Sequence, residues 1–444
     1  MENADDLRAL AQELAPDMTA LRRDLHCHPE TAFTEYRTAA LLVRRLEALG
    51  WHVVMGADAQ RPEARLWAPD AATCARERER AVAQGADAAL VRRMADGLTG
   101  LWAEMRFPDN GTDGPLVALR FDMDALEIQE ASGPEHRPAR EGFASCHRGS
   151  MHACGHDGHV ALGVGLAALL ARIRHRLRGR VRLLFQPAEE IGGGAGPMIA
   201  AGALDGVDWL IGLHLGMQAG ETGGIACGTD CFLATTTFTM QFDGRPAHAG
   251  MTPHEGRNAL LAGATAVQSM QAVTRHSGGA SRVNIGQFHS GDATNIIAGS
   301  AWLAGETRGE TTEVNAFMMA EVERMAQAAA SMWGCSCLLT RTGECPSAAS
   351  SPRLTGMVEA EARDMGLFRQ IAYTAHFQAS EDFAWLMNKV QEQGGQAVYV
   401  QLGADRPSGH HTDHFDFDER ALPLGLELLA RLTSRCLGSG AGGR

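Results

Sequence analysis

Pro115-Leu-Val-Ala-Leu-Arg120, Val181-Arg-Leu-Leu-Phe185 and Trp209-Leu-Ile-Gly-Leu213 are three short apolar runs with one layout. Each delivers ionisable residues at its carboxyl end: Asp122-Met-Asp124 after the first, Pro187-Ala-Glu-Glu190 after the second, and His214 after the third. Between the first two lies Asp157–Leu177, rich in Ala and Leu at helical spacing, so the order is strand, helix, strand. That alternation predicts an α/β domain with a mostly parallel mixed sheet and helices on both faces. Ligands of such sheets bind at the carboxyl ends of the strands, where this chain places its acids and histidine.

Further out, Leu7 to Leu49 has mostly helical apolar spacing, and Gly50 stops it before the strand-like Trp51-His-Val-Val54. Residues 56–113 break the pattern. Pro62 and Pro69 precede a charged helix-like stretch from Ala72 to Arg93, and the loop Pro108-Asp-Asn-Gly111 follows, which reads as an insertion between two strands. After Gly223 the character changes again. Thr235–Phe242 alternates like an exposed strand, Asn258–Val273 reads as helix, Arg282–Phe288 and Ser300–Glu306 as strands, Val314–Met332 as helix and Ser336–Arg341 as strand. That is the ferredoxin-like order, so residues 224–345 are expected to form an inserted α+β domain. Residues 1–223 and 346–444 then form the first domain, completed by Glu381–Lys389, Ala397–Gly403 and Leu422–Leu432.

Composition narrows the function classes. With 45% hydrophobic residues, 21% charged and 51 glycines in 444 residues, the chain buries a sizeable core and turns often, which excludes disorder, coiled coil and collagen. A net charge of −13 with no basic face argues against a nucleic-acid partner. The start, MENADDLRALAQELAPDM, lacks the features of a secretory signal, and no apolar run reaches membrane-spanning length. Ten cysteines without a disulfide-scaffold rhythm fit a reducing cytoplasm.

The densest chemistry lies in Met151-His-Ala-Cys-Gly-His-Asp-Gly-His159, where a thiol, three imidazoles and a carboxylate gather as metal-ligand composition. In Glu189-Glu190, consecutive extended residues point to opposite sides and would send one carboxylate to a metal and the other to a water, the division hydrolysis needs. His214 and the run Gly409-His-His-Thr-Asp-His414 are weaker signals, open to readings as a core histidine and a polar loop. Cys335 and Cys337 read as core residues of the second domain.

Leu21-Arg-Arg-Asp-Leu-His-Cys-His-Pro-Glu30, Asp122-Met-Asp-Ala-Leu126, His152-Ala-Cys-Gly-His-Asp-Gly-His159 and Phe185-Gln-Pro-Ala-Glu-Glu190 occur in order, and together they resemble the M20 metallopeptidase family, aminoacylase/amidohydrolase branch. The resemblance runs nearly end to end. Within the branch, the 56–113 insertion, Phe143-Ala-Ser-Cys146, Gly256-Arg-Asn-Ala-Leu260, Glu306-Thr-Arg-Gly-Glu310 and Gly409-His-His411 are similar to members acting on aroyl-amino acids.

The resemblance implies a dimetal peptidase domain carrying a lid or dimerisation domain. It implies Cys154, His156, Glu190, His214 and His411 as ligands of two divalent ions, Mn²⁺ or Zn²⁺, with Glu189 as general acid/base and Asp122 and Asp124 as carboxylates that orient histidine ligands. His411 matches because it precedes Phe415 and Asp418-Glu419 at the family's spacing; His410 and His414 stay open as substitutes. His248 of Pro246-Ala-His-Ala-Gly250 matches a histidine that reaches a neighbouring subunit's site to stabilise the oxyanion, and Asn295 and Arg308 match groups that hold a substrate carboxylate. Ala298 departs from the family's usual proline. A planar guanidinium at Arg308 suits bidentate capture of a carboxylate.

The activity so implied is hydrolysis of the amide of an N-acyl or N-aroyl amino acid, with p-aminobenzoyl-glutamate the first substrate to test. The protein is then a homodimer, or a heterodimer with a related subunit. The alternatives are an aminoacylase or dipeptidase acting on other N-acyl amino acids, and an accessory subunit that works only beside a related chain.

Overall fold

The computed structural model describes residues 4–107 and 114–438, so the expected loop Pro108–Gly111 lies outside the described residues. The chain divides into two compact units, one of Met1–Asp230, Ala348–Phe377 and Asp382–Arg444, the other of Cys231–Ser347 and Gln378–Glu381. The strands, in chain order, are β1 (His52–Met55), β2 (Leu101–Phe107), β3 (Leu116–Asp122), β4 (Gly179–Gln186), β5 (Trp209–Leu215), β6 (Gly224–Ala226), β7 (Thr229–Asp230), β8 (Ala234–Asp243), β9 (Ser281–Ser290), β10 (Ser300–Gly309), β11 (Ser336–Cys345), β12 (Gln370–Ala372), β13 (Ala375–His376) and β14 (Gln396–Leu402).

The first unit is built on a mixed sheet in the order β1-β2-β4-β3-β5-β14-β6-β12. β4, β3, β5 and β14 run parallel, β1 and β2 add an antiparallel edge, and β6 runs antiparallel to β14. Every position of β3 and β5 is buried, as expected of strands covered on both faces. The helix His156–Ile173 is apolar almost all round and packs between Ala4–Cys27 and Ala421–Gly438. It lies close on the sheet because Gly163 meets the rings of Phe121 and Phe185, where an added Cβ would come within 2.7 Å of a ring carbon.

Three expectations change. Residues 56–113 are not insertion throughout, because β2 within them pairs with both β1 and β4; its charged Glu104 and Arg106 had masked a strand whose other positions are apolar. The single helix expected over Ala72–Arg93 is two, Ala71–Ala83 and Ala88–Arg93, capped by the carboxylates of Asp70 and Asp87. Residues 224–230 also go with the first unit, since β6 is hydrogen-bonded into its sheet.

The second unit runs β8, helix Ala259–Gln271, β9, β10, helix Thr312–Met332, β11, with the antiparallel order β11-β8-β10-β9. Along β8, Phe238, Met240 and Phe242 point into a core shared with both helices, which is period-two patterning rather than an exposed strand. Among the described residues, no helix is long and apolar enough to cross a membrane.

Candidate functional site

In the first unit the ionisable residues converge at the carboxyl ends of β3, β4 and β5. His156 opens its helix just after Gly155, whose φ of 92° lets the chain turn sharply there. Its Nδ1–H donates to the Asp124 main-chain carbonyl at 2.9 Å, which turns Nε2 toward the acids. That nitrogen lies 3.8 Å from Glu190 Oε1, 3.9 Å from Glu189 Oε2 and 3.7 Å from Asp122 Oδ2.

Glu189 and Glu190 do not sit in extended chain as their position after a strand suggested. Ala188 adopts a left-handed φ of 53°, and Gly192 N–H closes a turn on the Glu189 carbonyl. The turn still separates the pair. Asp124 Oδ2 accepts the Glu190 N–H, and Glu190 Oε2 faces His411 Nε2 at 3.3 Å.

On β5, His214 Nδ1–H donates to the Leu215 carbonyl, and its Nε2 faces Cys154 Sγ at 3.5 Å. The donor atoms of Cys154, His156 and His214 lie within 4.8 Å of one another, as do those of Cys154, Glu190 and His411. The Cys154 sulfur is common to both sets. All five residues expected to hold metal therefore meet at one place, with Glu189 beside them.

The fit to a cation rests on the donors themselves. His156 Nε2 and Glu190 Oε1 are buried with no hydrogen-bond partner. Burial disfavours charge on the His156 ring, yet Asp122, Asp124 and Glu190 pull its pKa up to about 10, and burial pushes Glu190 up to about 8 despite His156. His214 is held well below the usual histidine range by burial and by His159 and His410, so its ring is neutral. A soft thiolate with imidazole and carboxylate donors suits Zn²⁺, and the carboxylate and imidazoles also suit Mn²⁺.

Of the three histidines in the 409–414 run, His411 alone joins the cluster. His410 donates Nε2–H to the Leu215 carbonyl and accepts from Arg406, and burial and Arg406 push its pKa down to about 3. His414 pairs with Asp413 at the surface. His411 holds a left-handed φ of 60°, unusual for a non-glycine residue and frequent at functional sites.

The two aspartates divide differently from expectation. Asp124 orients His156 through its carbonyl, whereas Asp122 Oδ1 accepts from His159 Nδ1 at 2.5 Å. Since His159 Nε2 accepts the Leu215 N–H, both nitrogens of that ring are engaged. Burial works against the Asp122 charge, but Arg120, His156 and His159 hold its pKa well below the carboxylate range.

Sequence reasoning missed the support beneath. Arg120 bonds Asp122, Gln186 Oε1 and Asp382, and Asp382 also accepts from Gln186 and from the Gly194 and Ala195 N–H groups. A lone arginine inside the apolar run of β3 was the available signal.

Within the second unit, His248 and Asn295 are neighbours, because Ala249 N–H donates to the Asn295 carbonyl in a bridge between their segments. Both are exposed. His248 Nδ1 accepts the Gly250 and Met251 N–H groups, which fixes the donor proton on Nε2. Arg308 lies on β10, half-buried, with its fork on both oxygens of Glu306 at 2.9 Å and a longer bond to Ser380. Cys335 and Cys337 pack against the core of this unit.

Residues 118–435 match the model of peptidase family M20/M25/M40. The chain is 42% identical to an indole-3-acetyl-aspartic acid hydrolase of Enterobacter agglomerans over 425 residues, 96% of this chain and 97% of the relative. It is 40% identical to one of the subunits of p-aminobenzoyl-glutamate hydrolase from Escherichia coli K12 over 428 residues, again 96% and 97%. Among solved structures, the aminobenzoyl-glutamate utilization protein of Klebsiella pneumoniae superposes with a TM-score of 0.82 at 34% identity, covering 97% of this chain and 98% of that one. The Bacillus subtilis YXEP protein, described as a dinuclear metal binding peptidase from the M20 family, gives 0.67 at 26% identity, covering 96% and 99%.

Proposed function

The chain belongs to peptidase family M20/M25/M40 and is a hydrolase of amide bonds, and from that premise we propose that it cleaves the amide between an aromatic acyl group and an acidic amino acid in a metal-dependent reaction. The observation that carries the reading is the donor cluster of buried Cys154, His156 and His214 with half-buried Glu190 and exposed His411, two ligand sets sharing one sulfur. In this reading those five residues hold two divalent ions, Mn²⁺ or Zn²⁺. Bound metal would supply Lewis-acid polarisation and lower the pKa of water at the site.

The chain's own residues do the rest. Glu189 accepts the proton of the attacking water and passes it to the leaving amine nitrogen. The Asp124 carbonyl and the Leu215 carbonyl keep the ligating nitrogens of His156 and His214 aimed inward. His248, with its proton fixed on Nε2, donates to the developing oxyanion of a neighbouring subunit's site, and Arg308 and Asn295 hold the α-carboxylate. That assignment makes the working protein a dimer, either of this chain alone or with a related subunit. The ten cysteines are thiols rather than disulfides, which supports a cytoplasmic setting.

p-Aminobenzoyl-glutamate is the first substrate by similarity to the Escherichia coli protein; indole-3-acetyl-aspartate is a second, favoured by the 42% relative. Purified chain with added Mn²⁺ or Zn²⁺ should turn over one of these faster than N-acetyl amino acids or dipeptides. Preference for the simple acyl amides would overturn the aromatic assignment. Inactivity alone, restored by a related partner chain, would show that this chain has an accessory role.

A further inference from the structure

The helix Ala4–Cys27 ends in Cys27-His28, and the segment after Phe143 brings Cys146-His147 against it, with Cys146 N–H donating to the Cys27 carbonyl at 2.9 Å. The two thiols and a His28 ring nitrogen lie within 4.8 Å of one another. Ligand atoms around a tetrahedral Zn²⁺ are spaced at roughly 3.3–3.8 Å, given Zn–S of about 2.3 Å and Zn–N of about 2.0 Å, so small side-chain rotations close the set.

Both imidazoles carry the proton arrangement of ligating histidines. His28 Nδ1–H donates to the Asp24 carbonyl at 2.8 Å and His147 Nδ1–H to the Pro29 carbonyl at 2.7 Å, leaving a lone pair on each Nε2. The rings meet edge to face, 6.2 Å apart. Gln84, the residue that ends the helix Ala71–Ala83, turns its amide nitrogen to His147 Nε2 at 2.6 Å and to Cys146 Sγ at 3.8 Å, while its buried Oε1 has no partner. An amide N–H dipole thus sits among soft donors that a cation would satisfy better.

We propose that Cys27, His28 and Cys146, with His147 or a water as fourth donor, form a site for one thiophilic divalent ion such as Zn²⁺, separate from the candidate active site. Binding exchanges two thiol protons for the ion, and two thiolates, two neutral donors and Zn²⁺ give a neutral centre. The ion would tie together the end of the first helix, the 143–150 segment and, through Gln84, the helical insertion. Ser145 in that segment donates its N–H to Glu130, which also binds His26, the residue beside Cys27.

Cobalt(II) titration of a Cys154→Ser protein tests this, because that variant removes the active-site sulfur. The expected result is a thiolate-to-cobalt charge-transfer band that saturates at one equivalent, disappears on adding Cys27→Ser and Cys146→Ser, and needs at least about 10-fold more cobalt in the presence of His28→Ala. No sulfur band from folded Cys154→Ser protein, or recovery of Cys27 and Cys146 as a disulfide, would overturn the site. Native mass spectrometry of zinc-loaded protein gives an independent reading: Cys27→Ser/Cys146→Ser should carry one ion fewer than the unaltered chain, and equal ion counts would overturn it.

Discussion

The donor cluster of the first unit and the residues of the second proposed to meet the substrate are held by opposite means. Around His156 and His214 each ring is buried and fixed by a main-chain carbonyl, and the Glu190 N–H is held by the Asp124 carboxylate, so the geometry stands ready for its ligand. His248 and Asn295 are exposed, the His248 ring held by its own turn, while Arg308 is occupied by an adjacent carboxylate. In the proposed reading the metal chemistry falls to the carboxyl end of the sheet, and contacts with the substrate fall where side chains can exchange partners.

The sharpest way to break that comparison is to separate the adjacent glutamates. Glu189→Gln should keep its metal but lose hydrolysis on the order of 10²–10⁴ in kcat, the usual weight of a general acid/base. Glu190→Gln should lose metal instead. Elemental analysis with kinetics decides, and a metal-free Glu189→Gln beside a loaded Glu190→Gln reverses the roles.

His248→Ala should cost about 10²–10³ in kcat as the loss of one oxyanion donor. If it serves a neighbouring subunit, mixing it with Glu189→Gln chains restores one working site per mixed dimer, since the His248→Ala chain keeps Glu189 and its neighbour keeps His248. Subunit exchange confirmed with a tagged chain, yet no recovered activity, confines His248 to its own turn.

Acid should weaken the buried end specifically. Burial pushes His152 down to about 4 from an ordinary 6.5, so its stabilising contribution is complete above pH 6.5 and is lost as pH falls through about 4. In metal-free protein this amounts to about 3 kcal/mol at most, at 1.36 kcal/mol per pKa unit. Urea midpoints at pH 7 and pH 4.5 should fall less in His152→Leu than in the unaltered chain; an identical fall would remove His152 from the acid response.

Arg308→Ala carries the smallest effect. A buried charge pair would predict 2–5 kcal/mol, but this guanidinium is half-buried and already paired with Glu306. About 1.5–3 kcal/mol, the range for a charged hydrogen bond, is expected in kcat/KM for substrates with a free α-carboxylate, and little for the amidated analogue. Glu306→Gln should sharpen the same contrast by freeing Arg308, lowering KM for the carboxylate substrate only. Equal losses on both substrates would take Arg308 out of the carboxylate site.

How much of this was legible in the sequence follows the same divide. Strands β3, β4 and β5 and the acids after them were readable because fully buried parallel strands are short apolar runs with local signals. The Cys154–His156 pair was readable from composition. The turn at Ala188 was not, because a left-handed alanine carries no sequence mark. Nor was the Asp382 network, whose members lie 262 residues apart in Arg120 and Asp382. β6 and β12 are three residues each, too short for any periodicity. Composition left His410, His411 and His414 open and the family's spacing pointed to His411; in the structure His410 and His414 have ring nitrogens bonded to a carbonyl and a carboxylate.

The position of β14 has a consequence for biosynthesis. It lies between β5 and β6 in the sheet, yet β5 ends at Leu215 and β14 begins at Gln396. The interval, 396 − 215 = 181 residues, takes on the order of 10–40 s to translate at roughly 5–20 residues per second. Throughout that time a nascent chain presents the apolar edge of β5 without its neighbour, while the intervening unit can already close on local contacts. Folding of the first unit is therefore expected to be gated by the arrival of its last strand, and ribosome-stalled chains ending before Gln396 should bind chaperones that those extending past Leu402, with room to clear the exit tunnel, release.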